Sequence, residues 1–398
     1  MKKTITLLLV SLFALIAKAQ ITPTLYNSLG SEYAYSSYLD KTANEMYICY
    51  TDIGVISKVN LTIPNQAPTV VFSGLSYPVA VERIENKLYV LEATTGEDTN
   101  LMPLPNTGKL SYYDLSLANP IKVVLYNNLN IPLKMTANSN HFVIDENTIS
   151  TVDPDDFDIQ TISKVTVSGT LTKTSILTRY HTPNDPLQGN FENMVVIDED
   201  LYANNLNYVD LGYIFKINLL NNSININNTF GVNAPINFGI NQNYIYYSDN
   251  SSSNNAYRTP LVAGSSPTQI ISNFQYNGEP TYINSWHFDS SNNAFIMATT
   301  YTNNVETNRI FKIPSSSLLS TSTTTVSILK LYTNPAKTQL NFSEELSEIK
   351  IVDMSGKQIS VQKEKAKTIN VEKLPKGNYL ISAKDKNGKT LSEKFIKE

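Results

Sequence analysis

One strand pattern recurs six times along the chain, at intervals of about 50 residues. The copies are EMYICYTD (45–52), KLYVLEA (87–93), HFVIDE (141–146), LYANN (201–205), YIYYSDN (244–250) and AFIMATT (294–300). Each has the length and the β-branched or aromatic content of a short strand. A second strand of related pattern follows each copy, and most units also carry a preceding strand and a third one. A repeat of this kind must bury its apolar face against its neighbours.

Four short strands per unit, with no helical stretch, predict an all-β fold in which residues 20–319 form a six-bladed β-propeller. A β-sandwich array and a β-solenoid are the alternatives. The sixth unit lacks a fourth strand, whereas ITPTLYNSLG (21–30) forms a strand-like segment before the first unit. Because open sheet edges invite aggregation, we expect this N-terminal segment to complete the last blade and close the ring.

The strand pair YIYYSDN and AYRTPL is similar to that of the YWTD propellers, and closure by the N-terminal strand resembles six-bladed propellers of the NHL and YWTD groups. The other five units match the YWTD pattern poorly. The resemblance therefore implies an architecture and leaves the ligand open, since propellers serve both as enzymes and as binding scaffolds.

The first 19 residues read as a secretory signal peptide. Lys2 and Lys3 precede an apolar run too short to span a bilayer, and Ala17 and Ala19 occupy the small-residue positions before a cleavage site. We expect cleavage after Ala19; the alternative is a buried N-terminal helix. No later apolar segment is long enough to cross a membrane, so no transmembrane anchor is expected after cleavage.

The C-terminal residues differ from the repeats in their sequence pattern. A Ser/Thr-rich linker (320–328) leads to residues 329–398, where alternating apolar strands and Gly-containing turns predict a small antiparallel β-sandwich. Its motif positions run Asn-Pro, Asp-x-x-Gly-Lys, Leu-Pro-x-Gly-x-Tyr and a basic end. They are Asn334, Pro335, Asp353, Gly356, Lys357, Leu374, Gly377, Tyr379, Lys394 and Lys397.

This order resembles the Ig-like type IX secretion sorting domain of Bacteroidetes (type A), although Thr333 stands where that family usually has proline. An ordinary carbohydrate-binding or adhesion sandwich is the alternative. The resemblance implies passage through the periplasm and across the outer membrane, with the type IX secretion machinery as partner. It also implies that the tail is then removed or exchanged for a surface anchor.

Charge separates the two parts of the chain. Residues 330–398 carry 14 Lys and 9 acidic residues, whereas residues 20–329 carry 14 basic and 26 acidic ones. The net negative charge of residues 20–329 argues against nucleic acid and anionic lipid as partners. The partner classes that remain are cations, neutral glycans and proteins. The single cysteine, Cys49, excludes an internal disulfide and is expected to be a small buried residue.

The usual catalytic motifs are absent from the sequence. The three histidines, His141, His181 and His287, share no motif, and His287 is expected to pack within an inner strand. Acidic and amide residues end five of the repeated strands, and we expect them to form a ring at the channel mouth: Asp52, Glu92, Asp145, Asn205 and Asp249.

Two long neighbouring loops carry more carboxylates, which could hold Ca²⁺: Glu97, Asp98, Asp153, Asp155, Asp156 and Asp158. Solvated turn residues are the alternative explanation.

Three functions remain open: a non-catalytic propeller that binds glycan or protein at the cell surface, a calcium-assisted hydrolase or lyase of the lactonase kind, and a structural surface component. Binding is the favoured one, because only the acids of an enzyme site can be argued from the sequence.

Overall fold

A computed structural model describes the chain from residue 20 to 398, except for 95–103, 150–156, 168–170, 181–192, 206–212, 231–234, 250–253, 263–264, 303–304, 320–330, 333, 354–356, 363 and 385–389. The signal peptide expected over residues 1–19 lies outside the described residues. The chain divides into two compact units at residues 320 and 321.

Most of the described residues of the first unit form antiparallel strands, so the predicted all-β class is confirmed. Strands such as Glu45–Tyr50 and Lys87–Glu92 are buried on both faces, as sheets packed face to face require. The first three sheets contain β2(Ala34–Asp40), β3(Glu45–Tyr50), β4(Val55–Asn60) and β5(Thr69–Phe72); β6(Pro78–Ile84), β7(Lys87–Glu92), β8(Gly108–Asp114) and β9(Lys122–Leu129); and β10(Pro132–Ala137), β11(His141–Ile149), β12(Phe157–Thr166) and β13(Lys173–Tyr180).

The next two sheets repeat the same order of four strands. They contain β14(Met194–Ile197), β15(Asp200–Asn205), β16(Tyr213–Asn218) and β17(Ile224–Phe230); and β18(Pro235–Asn241), β19(Tyr244–Asp249), β20(Ala256–Pro260) and β21(Thr268–Ile271).

The last sheet of this unit joins the two ends of its chain. It consists of β22(Gln275–Tyr276), β23(Glu279–Phe288), β24(Ala294–Thr302) and β25(Val305–Ile313), with β1(Thr24–Gly30) as its outer strand. Strand β1 runs antiparallel to β25, with Thr24 opposite Lys312 and Gly30 opposite Asn308. The unassigned N-terminal strand therefore pairs with the last repeat, as the sequence predicted.

Apolar cores lie between sheets that are adjacent along the chain. One core packs Tyr47 and Cys49 of β3 against Val81 of β6 and Val90 of β7. Cys49 is fully buried, and burial raises the pKa of its thiol to about 12, which confirms its expected place in the core. Small antiparallel sheets that succeed one another and pack face to face are the arrangement of a β-propeller.

Another core joins the first sheet to the last one. Met46 and Ile48 of β3 pack there with Phe295 and Met297 of β24 and with Ile310 of β25. The first strands of the sheets also approach one another closely. At Gly239 of β18, any Cβ atom would clash with the backbone oxygen of Trp286 in β23. Glycine at this position thus sets how closely these two strands pack.

The helix α1(Ser315–Leu319) follows β25 and ends the first unit. Leu318 is buried in the core between the last two sheets. The guanidinium of Arg258 in β20 donates a hydrogen bond to the backbone oxygen of Leu318. Among the described residues, none of the helices is long and apolar enough to cross a membrane.

The second unit is a small antiparallel β-structure with its own core. It contains β26(Leu331–Tyr332), β27(Gln339–Asp353), β28(Gln358–Gln362), β29(Ala366–Asn370), β30(Gly377–Lys384) and β31(Thr390–Lys397). The long strand β27 pairs with β26 and β29 along its first half and with β28 and β30 along its second. Its core includes Leu340, Ile351, Ile381 and Phe395.

Candidate functional site: a central cavity between the sheets

One strand of each sheet in the first unit lines a central cavity of about 1860 Å³. Residues of β2, β6, β10, β14, β18 and β23 contribute to its wall. Ligand pockets are usually concave spaces that are already formed, with a few convergent polar groups, and this cavity exceeds the roughly 300–1,000 Å³ of a typical small-molecule site. It is therefore the candidate functional site of the first unit.

Three polar side chains meet on the cavity wall where the first and last sheets adjoin. The Ser37 hydroxyl of β2 lies 2.8 Å from Nε2 of His287 and 2.8 Å from the Ser285 hydroxyl, both on β23. Burial, with a smaller contribution from the positive charge of Lys41, lowers the pKa of His287 to about 4. The imidazole is therefore neutral near pH 7 and serves as a hydrogen-bonding group.

Two pairs of tyrosines lie at one end of the cavity, and we call Tyr33, Tyr35, Tyr282 and Tyr301 the tyrosine mouth. The rings of Tyr282 and Tyr301 meet edge to face with their centroids 5.9 Å apart, and those of Tyr33 and Tyr35 do so at 6.2 Å. Tyr33, Tyr282 and Tyr301 keep 47%, 44% and 47% of their surface exposed. Large aromatic rings left this open commonly mark a binding surface.

A carboxylate lies beside the pair formed by Tyr282 and Tyr301. Oε2 of Glu306 in β25 is 3.5 Å from the Tyr301 hydroxyl, and its Oε1 accepts a hydrogen bond from Nδ2 of Asn308. Burial raises the pKa of both Tyr33 and Tyr301, and the negative charge of Glu306 raises each further. Glu306 is therefore electrostatically close to both tyrosine pairs.

Four of the five residues predicted to ring the channel mouth can be placed in the structure. Asp52 lies in an exposed turn after β3, Glu92 and Asp145 are buried within their own sheets, and Asp249 contacts Tyr257. None of these four lines the cavity. The side chain of Asn205 lies outside the described residues.

The buried residues at these strand ends have another role, which recurs in three sheets. Glu92, Glu146 and Asn204 each end or nearly end the second strand of a sheet. Each accepts a hydrogen bond from a backbone N–H just before the first strand of the same sheet: that of Ser76 (2.9 Å), Asn130 (3.0 Å) and Asn193 (2.6 Å), respectively. We call these contacts strand clasps.

Two of the strand clasps also contain an ion pair. Lys122, which begins β9, pairs with Glu92, and Lys173, which begins β13, pairs with Glu146 at 2.8 Å. The side chains of Glu92 and Glu146 therefore bind backbone N–H and lysine groups of their own sheets, and neither side chain lines the central cavity. The sequence predicted acidic and amide residues at these strand ends, but it could not show the direction in which their side chains point.

Among the described residues, no group of three or more His, Cys, Asp or Glu is placed to hold a metal ion. The predicted calcium ligands Glu97, Asp98, Asp153, Asp155 and Asp156 lie outside the described residues, as does the side chain of Asp158. His181 lies outside them as well. Nδ1 of His141 is 3.9 Å from Oε2 of Glu199, away from the cavity lining.

The motif residues of the second unit build its turns and core. Asn334 accepts a hydrogen bond from the backbone N–H of Ile396 at 2.9 Å. Asp353 accepts one from the N–H of Lys357 at 3.0 Å, and Gly356 lies outside the described residues. Asn334 thereby holds the start of the unit beside its last strand.

Tyr379 lies in the core of the second unit. Its ring is buried and stacks on Phe395 with centroids 5.5 Å apart, while its hydroxyl donates to the backbone oxygen of Pro375 at 2.8 Å. Leu374 packs against the same core, and Gly377 begins β30. Pro335 is exposed and Lys397 is largely buried; the side chain of Lys394 lies outside the described residues.

Residues 330–398 match the family model described as "Secretion system C-terminal sorting domain". The second unit is a type IX sorting domain. The sorting domain indicates that the protein is exported to the cell surface or secreted, as the sequence predicted. The secretion machinery is therefore a partner of this chain.

Solved structures similar to the chain share little of its sequence. PorZ, a surface component of the type-IX secretion system of Porphyromonas gingivalis, is 10% identical, with 89% of this chain and 64% of that one covered and a TM-score of 0.32. A luciferin-regenerating enzyme is 9% identical (73% and 95% covered, TM-score 0.48). A gluconolactonase from Xanthomonas campestris is 10% identical (74% and 88% covered, TM-score 0.44).

The chain thus spans about 64% of the length of the PorZ structure. A comparison with curated proteins found no match. Similarity at this level does not extend to a ligand or a reaction.

Proposed function

We propose that residues 20–319 form a closed six-bladed propeller that binds a glycan or protein ligand in its central cavity without altering it. The cavity carries this proposal, because it is large, concave and lined by polar and aromatic groups from every sheet. Closure is supported by the pairing of β1 with β25 and by the core shared between the first and last sheets. The kinship with NHL and YWTD propellers stays a prediction.

The polar cluster on the wall favours binding over catalysis. A serine 2.8 Å from a histidine has the spacing of a nucleophile and its base. However, a general base works best when its pKa lies near the working pH, and that of His287 is lowered to about 4. Such a weak base takes up little of the proton that Ser37 would have to release. Ser37, Ser285 and His287 are better suited to hydrogen bonding with a ligand.

The test uses the full mature chain on arrays of oligosaccharides and peptides. Retained ligands are then recovered, and their masses are measured by mass spectrometry to detect any chemical change. We expect retention that falls at least about tenfold in the double variant Ser285→Ala, His287→Ala, with the mass of each ligand unchanged. Ser291→Ala, in an exposed turn outside the cavity, is the matched control. A ligand whose mass changes on incubation would make the protein an enzyme, and retention that is equal in all variants would place binding elsewhere.

Calcium-assisted hydrolysis or lysis of the lactonase kind is the second hypothesis. Its central metal would use carboxylates and amides such as Glu92, Asn205 and Asp249, and thermal melts with calcium and with chelator test whether the protein binds the ion.

A further inference from the structure

The tyrosine mouth differs chemically from the rest of the cavity wall, and its chemistry narrows the ligand class of the proposed function, on which this inference rests. Elsewhere the wall offers serine, asparagine, glutamine and paired charges such as Arg83 with Asp40. At the tyrosine mouth, the Glu306 carboxylate lies beside the Tyr301 hydroxyl and is close enough to act electrostatically on Tyr33 as well. No lysine, arginine or histidine among the described residues forms an ion pair with Glu306.

The faces of aromatic rings carry a partial negative potential, so a cation over such a face is attracted to it, by roughly 0.5–2 kcal/mol per contact. Rings that stand at steep angles to one another can face a common point. The two pairs have interplanar angles of 69° and 76°. A carboxylate beside such rings adds a full negative charge. The combination suits a compact organic cation with apolar substituents.

A neutral sugar ring is a poorer match for this geometry, because a pyranose stacks on a flat aromatic platform and edge-to-face pairs do not offer one. Charge supports the same distinction. Glu279 and Glu306 both line this end of the cavity. Lys134 also lies close enough to affect Tyr33, but its charge is the smallest of the influences on the pKa of that tyrosine. The local balance is acidic, like that of residues 20–329 as a whole.

We propose that the tyrosine mouth, with Glu306, is a binding site for an alkylammonium group, either of a free small cation or of a lysine side chain presented by a protein. In either case the ligand places its positive nitrogen between the two tyrosine pairs and its apolar groups against the rings.

The experiment measures binding to the full mature chain by isothermal titration calorimetry. The probes are choline, its uncharged isostere 3,3-dimethyl-1-butanol, and Nα-acetyl-lysine methylamide. We expect both cations to bind at least about tenfold more tightly than the isostere, which has the same shape without the charge. The tighter of the two cations identifies the source of the ammonium group, a free molecule or a protein side chain.

Matched variants separate the components of the site. Glu306→Gln is expected to weaken choline binding about tenfold, whereas Glu85→Gln, a carboxylate elsewhere on the wall of the same cavity, leaves it unchanged. Tyr301→Phe keeps the ring face and is expected to retain binding, while Tyr301→Leu loses it. Thermal melts of each variant check that the chain is folded.

The proposal is overturned if choline and its isostere bind equally, if neither cation binds, or if Glu85→Gln has the effect expected of Glu306→Gln. Maltohexaose serves as a neutral sugar probe. Should it bind in a Tyr301-dependent way while choline does not, the ligand class is wrong but the binding role of the cavity stands. The array experiment judges that role independently, so the two failures can be told apart.

Discussion

At the scale of single residues, burial in the cavity wall keeps His287 neutral at mildly acidic pH, where a histidine in water would be charged. The pKa of its imidazole falls from about 6.5 to about 4, mainly because burial disfavours the charged form. In the unfolded chain the same ring would take up a proton below about pH 6.5. The difference couples the protonation of one side chain to the stability of the first unit.

This coupling predicts a loss of stability in mild acid. The unfolded state binds the proton more readily, so the contribution of His287 is complete above about pH 6.5 and is lost as the pH falls toward 4. The loss reaches at most about 3 kcal/mol, at about 1.4 kcal/mol per pKa unit. Denaturant unfolding of the wild type and of His287→Gln between pH 7 and pH 4 measures it. Parallel pH profiles for the two proteins would contradict the prediction.

The strand clasps predict which acidic strand ends support stability. Glu92 is buried, accepts the backbone N–H of Ser76 and pairs with Lys122, so Glu92→Ala leaves both groups without their partner. We expect a loss of about 2 kcal/mol or more in the free energy of unfolding. Asp52→Ala, in an exposed turn, should change it by less than about 0.5 kcal/mol. Equal effects in urea denaturation would argue against a separate role for the clasp.

At the scale of elements, strand β1 decides whether the last sheet has an open edge. Its register with β25 leaves the outer backbone groups of β25 paired, and Tyr26 of β1 packs edge to face on Phe295 at 5.2 Å. Backbone pairing and aromatic packing therefore act together at this junction.

Removing residues 21–30 is expected to destabilise the first unit as a whole. The deletion exposes the edge of β25 and opens the core that contains Tyr26, Leu29 and Phe295. Differential scanning calorimetry should show a lower Tm and light scattering should show more aggregation. A deletion mutant that melts at the parent temperature would mean that β1 contributes nothing to closure.

The two acidic loops give a second prediction at this scale. If Asp153, Asp155, Asp156 and Asp158 bind calcium with Glu97 or Asp98, the ion stabilises the folded state by about 2.7 kcal/mol at a hundredfold excess over Kd. The double variant Asp155→Asn, Asp156→Asn should abolish that gain and slightly stabilise the calcium-free protein. Thermal melts with calcium and with chelator measure both effects. Identical melts in all four conditions would leave the loops as solvated turns.

At the scale of the whole molecule, the sorting domain and the first unit have separate cores and separate tasks. Deleting residues 330–398 should therefore leave the propeller folded but retained in the periplasm. Fractionation of cells and medium measures its location, and a thermal melt of the retained protein checks its fold. Normal amounts of the truncated protein at the surface or in the medium would contradict the sorting role.

The sequence predicted what depends on periodicity and local motifs. Repeated strands, the burial of Cys49 and the sorting-domain motif all follow from patterns within a few residues. The cavity chemistry could not be found in this way. Ser37 and His287 are 250 residues apart in the chain and meet only because the first and last sheets adjoin. Tyr301 lies near the end of β24, the strand with the sixth copy of the repeated pattern, where the other five copies suggested acids and amides.

The pairing of β1 with β25 also sets the order in which this protein can be finished. Strand β1 is synthesised first, but it can pair with β25 only after that last strand of the unit has been synthesised. The last sheet therefore cannot form on a shorter chain. A chain interrupted before Val305 exposes β1 and the edge left for β25 at the same time. Such a chain also lacks the C-terminal sorting domain, so it has neither a complete last sheet nor the signal for export.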